Sequence, residues 1–100
     1  MNNEELELNI LRKADEVKNQ RTLADELGYS VGKINYVLNA LIEKGLIKVE
    51  NFATAENKKR YKYILTQKGI KEKIRLTERF IKRKKREYIQ LQRELKEFRA

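Results

Sequence analysis

Residues 20–45 read QRTLADELGYSVGKINYVLNALIEKG, two apolar-periodic runs separated by a glycine and closed by another. Leu23, Ala24 and Leu27 recur at helical spacing, and the run stops at Gly28, where a left-handed residue ends a helix without steric cost. After Tyr29, Ser30 offers a side-chain acceptor to the first amides of a second helix running to Lys44. Ile34, Val37, Leu38, Leu41 and Ile42 lie on its inward arc, and Gly45 stands just past its end. Two short helices joined by a tight glycine turn predict a helix-turn-helix.

Upstream, from about Glu4 to Lys18, the spacing of Leu6, Ile10, Leu11, Ala14 and Val17 predicts an amphipathic helix, and its acidic start suits the helix dipole. Downstream the period drops to two. Ile47 and Val49, then Tyr61, Tyr63 and Leu65, alternate with polar or outward residues and predict a two-stranded hairpin. Phe52 to Arg60 is expected to join the strands, with Asn57, Lys58, Lys59 and Arg60 at the exposed tip. A basic hairpin after a helix-turn-helix is a wing. From Thr66 or Gln67 to Phe98 nothing breaks the chain, so one helix of roughly 30 residues and about 45 to 50 Å is expected. The fold class is therefore mainly α with a small β-hairpin: a winged helix-turn-helix domain over residues 1–66, followed by a long C-terminal helix over residues 67–100.

Composition narrows the function. One hundred residues allow one domain with a short appendage, and a chain of this size hides only about 60 to 65% of its unfolded surface, which favours support from a partner subunit. There is no Cys, His, Pro or Trp, so disulfides, thiolate or imidazole metal sites and Ser-His or Cys-His catalysis are excluded. Neither an enzyme nor a cofactor is expected. Carboxylate-only sites would need acids converging in a cleft, whereas 24 Lys+Arg against 15 Asp+Glu leave a net charge of +9 and point to a polyanionic partner. The charge is uneven: residues 1–50 carry net −2 and residues 51–100 carry net +11. The start, Met1 to Glu5, has no basic n-region or apolar h-region, and the longest uncharged stretch is Ile34 to Ile42. A cytoplasmic protein with no membrane partner is expected.

In a helix-turn-helix the second helix enters the major groove with its early and outward side chains at base edges. Opposite the apolar arc lie Gly32, Tyr36, Asn39 and Glu43, flanked by Lys33 and Asn35. Lys33 can donate to guanine or phosphate, Asn35 and Asn39 can bridge adenine, Tyr36 can meet phosphate or a thymine methyl, and Gly32 permits close approach. Ser30 at the helix start joins this candidate set, as do Arg21 and Thr22 at the start of the preceding helix, as phosphate contacts. At the hairpin tip Asn57, Lys58, Lys59 and Arg60 complete it, the three cations by neutralising phosphate. The alternatives are a solvated helix face and a hairpin made basic for solubility.

The last helix carries a heptad. Ile70, Ile74, Thr77, Ile81, Lys84, Tyr88, Leu91, Leu95 and Phe98 are spaced alternately by four and three. The dimerisation residues would be Ile74, Ile81, Tyr88, Leu91, Leu95 and Phe98, with Lys84 weakening the seam. Alternatively the near end, with Leu76 and Phe80, packs on its own domain.

The stretches Arg21 to Ser30, Lys33-Ile34-Asn35, Leu41 to Ile47 and Leu65 to Gly69 resemble the MarR family of bacterial winged-helix regulators, over about residues 5 to 72. More narrowly, Val31 to Tyr36, Ala40 to Gly45, Lys48 to Phe52, Leu65-Thr66 and Phe80 to Lys84 resemble short regulators associated with exopolysaccharide gene clusters. The resemblance implies a homodimeric transcription factor on double-stranded DNA, with its recognition helix at Ser30 to Lys44 and its wing at Asn51 to Tyr61. Typical family members are longer, and their Asp-x-Arg wing motif aligns here with Asn57-Lys58-Lys59. No small-molecule effector is inferred. Two other readings stay open: a nonspecific or architectural nucleic-acid-binding protein, and a protein-interaction module using the C-terminal helix.

Overall fold

The computed structural model describes residues 3–14, 20–53 and 59–100. The elements run α1 (Glu4–Lys13), α2 (Gln20–Leu27), α3 (Val31–Glu43), β1 (Ile47–Ala53), β2 (Lys59–Leu65) and α4 (Gln67–Arg99). This is the mainly helical winged helix-turn-helix with a long terminal helix that the sequence predicts.

The predicted inward arcs form one core. Leu6, Ile10, Leu11 and Ala14 of the first helical region meet Leu23 and Ala24 of α2 and Ile34, Val37, Leu38 and Leu41 of α3. Leu27 and Ile42 are partly buried against them. Leu8 is also buried, because α1 is covered by α4 as well as by α3. Val17 lies outside the described residues.

Both glycine stops adopt the left-handed backbone, with φ +74° at Gly28 and +76° at Gly45. At Gly45 the helix closes as a Schellman turn: Gly45 N donates to Ile42 O at 2.9 Å and Leu46 N to Leu41 O at 3.0 Å, with Leu41 and Leu46 both buried. Ser30 caps α3, its hydroxyl accepting from Lys33 N at 3.1 Å.

The strands are antiparallel with Ile47 opposite Leu65 and Val49 opposite Tyr63. They are longer than the alternation predicts. Phe52 pairs with Arg60 and Ala53 with Lys59, so these four residues belong to the ladder rather than to the tip. The ladder is a backbone interaction, and the polar residues that argued for a loop do not oppose it.

The start of α4 is fastened to the end of α3. Thr66 N donates to Leu46 O at 3.1 Å, and the Thr66 hydroxyl donates to Gly45 O at 2.7 Å while accepting from Gly69 N at 2.9 Å. Lys68 Nζ donates to Lys44 O at 2.9 Å. Carbonyls left over at the end of one helix are thereby satisfied by the start of the next. Beyond this latch Leu76 is fully buried and Phe80 nearly so, and Arg79 pairs with Glu4 of α1 at 3.0 Å. On the outer side of the same helix Arg75 donates to the Glu72 carboxylate, whose pKa it holds below the usual value. After Arg83 every side chain of α4 is exposed. The molecule measures 67 × 26 × 22 Å, and its 17.7 Å radius of gyration exceeds the roughly 13 Å of a compact chain of this length. Among the described residues no helix is long and apolar enough to cross a membrane.

Candidate nucleic-acid interface

The face of α3 opposite the core is open. Gly32, Asn35, Tyr36 and Asn39 are exposed, Tyr36 at 68%, while Ile34 and Leu41 behind them are at 0%. The 3.6-residue period sets this division, and the helix is held by its core face and by both end caps.

The face is also ordered within itself. Asn39 Nδ2 donates to Asn35 Oδ1 at 3.2 Å, one turn apart. Lys33 is half-buried: its Nζ donates to Asn3 Oδ1 at 2.9 Å and sits 5.9 Å from the centre of the Tyr36 ring. One of its three ammonium donors is thus engaged and its position is defined by two neighbours. The Asn3 partner has no signature in the sequence, because a bond spanning 30 residues leaves no local pattern.

Arg21 and Thr22 lie exposed in the first turn of α2. Lys59 and Arg60 open β2, whereas Asn57 and Lys58 lie outside the described residues. Beside Ser30, Tyr29 and Val31 are exposed at 37% and 43%. Both fall off the inward arc of α3, the one sequence signal that points to their exposure. Among the described members of the set, Ser30, Gly32, Lys33, Asn35, Tyr36 and Asn39 lie at the start and along the outer face of α3, Arg21 and Thr22 lie in the first turn of α2, and Lys59 and Arg60 lie at the start of β2. The heptad residues Ile74, Ile81, Tyr88, Leu91, Leu95 and Phe98 form a separate exposed stripe along α4, between 50% and 89% exposed.

Residues 8–48 match the family model for winged helix-turn-helix DNA-binding domains. No curated protein matches the chain. Among solved structures the chain is similar to a PadR-like transcriptional regulator from Bacillus cereus, with 22% identity and a TM-score of 0.75 over 87% of this chain and 91% of that one. It is also similar to MepR, a transcription regulator of the Staphylococcus aureus multidrug efflux pump MepA, with 21% identity and a TM-score of 0.60 over 90% of this chain and 64% of that one. A MepR variant bound to an oligodeoxyribonucleotide gives 21% identity and a TM-score of 0.61 over 98% of this chain and 76% of that one. At such identities the likeness is one of fold, and the chain is a winged helix-turn-helix that ends in a long helix.

Proposed function

We propose that the chain is a bacterial, cytoplasmic transcriptional regulator that binds duplex DNA sequence-specifically as a homodimer. The proposal takes the short MarR-type regulators associated with exopolysaccharide gene clusters as its functional analogues. It works by binding and not by catalysis. Residues 1–66 read DNA and residues 67–100 pair the subunits, with the near end of α4 also contributing Leu76 and Phe80 to the core.

The observation that carries this reading is the capped, core-backed α3 with Gly32, Asn35, Tyr36 and Asn39 turned outward. In the major groove Lys33 serves guanine or phosphate, and the Asn35 and Asn39 amides serve adenine. Tyr36 reaches phosphate or, with Val31, a thymine methyl. Arg21, Thr22 and the Ser30 hydroxyl fix the helix on the backbone, while Asn57, Lys58, Lys59 and Arg60 of the wing lie along backbone or minor groove. Two-fold symmetry predicts an inverted repeat with half-sites about one helical turn apart.

Selection from random duplex DNA at physiological salt tests the proposal. An enriched inverted repeat is expected, whereas retention without enrichment and with a steep salt slope would establish nonspecific binding. On the selected site, Lys33→Ala with Asn39→Ala should relax sequence preference, each lost base contact costing about 1 to 3 kcal/mol. Lys59→Ala should weaken all DNA alike and lower the salt slope by about one. Equal losses on every sequence from both changes would refute this division of roles.

A further inference from the structure

Asn3 stands at the N-cap of α1, yet its side chain makes no capping bond to that helix. Asparagine is favoured at this position because its side-chain oxygen accepts from the first helical amides. Here the backbone alone closes the first turn, Glu7 N donating to Asn3 O at 2.8 Å. The side-chain oxygen is spent elsewhere, accepting from Lys33 Nζ of α3 at 2.9 Å. Resting on the DNA-binding reading, we propose that Asn3 is a positioning residue for Lys33, and that the lysine held in this way reads guanine in the major groove.

The anchor is itself fixed. Glu4, the next residue, pairs with Arg79 of α4 at 3.0 Å, and Leu6 is buried in the core at 2% exposure. The start of α1 is therefore held by an ion pair and by apolar packing, which makes Asn3 Oδ1 an acceptor in a defined place. The Tyr36 ring, with its centre 5.9 Å from the same ammonium, is a second constraint on it.

Counting donors selects the base. An ammonium has three donors and no acceptor, and Asn3 takes one. Two are left, and guanine is the base that presents two acceptors, O6 and N7, on its major-groove edge. Adenine sets a donor beside its N7, cytosine presents a donor, and thymine presents one acceptor next to a methyl group. Phosphate gains little from a fixed lysine, because a point charge attracts it over many orientations, whereas a base edge must be met in one geometry. Immobilising a long side chain at the moment of binding costs about 2- to 13-fold in affinity. The contact to Asn3 meets that cost during folding. Lys33 is the third residue of α3 and follows Gly32, so it lies where a recognition helix first meets base edges.

The test is selection from random duplex DNA with the full-length chain and with Lys33→Ala, Asn3→Ala, the double variant and Asn3→Asp. Lys33→Ala should abolish preference for one G·C pair in each half-site. Asn3→Ala should weaken preference at that same pair about 2- to 13-fold and leave the other pairs unchanged. Its melting temperature should stay within about 4 °C, since the side chain caps nothing. The double variant should behave as Lys33→Ala does alone, because Asn3 acts through Lys33. Asn3→Asp keeps the acceptor and should keep the preference. Equal losses on every sequence from Asn3→Ala, additive losses in the double variant, or an Asn3→Asp protein as impaired as Asn3→Ala would each overturn the proposal. Tighter binding by Asn3→Ala would overturn it as well, by making the contact one that withholds Lys33 from DNA. If Lys33→Ala weakens all sequences alike, guanine reading is overturned while an enriched repeat keeps the regulator reading standing. No enriched repeat from the unaltered chain would remove the regulator reading, and this inference with it.

Discussion

Leu91→Asp with Leu95→Asp will leave a folded monomer that binds a two-half-site operator about 10² to 10⁴-fold more weakly than the unaltered chain. Both leucines sit on the projecting half of α4, 62% and 50% exposed, and neither belongs to the core. The variant should therefore keep its helical content and its cooperative unfolding, and what it loses is the coupling between two reading heads. A carboxylate at each position would be buried in an apolar seam without a partner, a cost that prevents pairing rather than loosening it. Sedimentation should show half the mass, and affinity for an isolated half-site should change little. An unchanged mass would show that this stripe does not pair the subunits. A full loss of half-site binding would place the leucines in the reading head, contrary to their position.

The elements that could be read in advance are those whose information is local. The α2–α3 turn was legible because Gly28, Ser30 and Gly45 each announce a helix end by a requirement of backbone or cap. The outward face of α3 followed from its apolar arc, since a residue opposite Ile34 and Leu41 has nowhere to go but solvent. The stripe on α4 was legible for the same reason, and at the near end of the helix Ile74 and Ile81 are exposed while Leu76 and Phe80 are buried in the chain's own core. What escaped was long-range. The bond from Lys33 to Asn3, the burial of Leu8 beneath α4, and the latch between Thr66 and the end of α3 each join residues that no periodicity links. Strand length escaped too, because backbone pairing continues through residues whose side chains suggest a loop.

Gly69 shows how far a local reading can mislead, and it yields the second large effect. The residue stands in the first turn of α4, and helix propensity says that alanine there should stabilise by up to about 1 kcal/mol. The structure reverses that sign. A methyl group at this position would overlap the Leu46 carbonyl oxygen and come within 2.7 Å of Leu65 Cδ1. That carbonyl cannot retreat cheaply, since it accepts from both Thr66 N and the Thr66 hydroxyl, each at 3.1 Å. Relief requires α4 to move off the end of α3, which adds the loss of latch hydrogen bonds, about 0.5 to 1.5 kcal/mol each, to an overpacking cost of about 1 to 3 kcal/mol. Gly69→Ala should therefore destabilise by about 3 kcal/mol net, lowering the melting temperature by roughly 12 to 24 °C. Gly32→Ala is the contrasting case, because nothing lies within 4 Å of the added methyl and the backbone there is helical. It should raise stability by up to about 1 kcal/mol while weakening DNA binding, because the methyl would stand between α3 and the groove. Calorimetry and binding on the selected operator separate the two. A stabilised Gly69→Ala would show that the latch does not set the seat of α4, and full-strength binding by Gly32→Ala would move the close approach to DNA away from the start of α3.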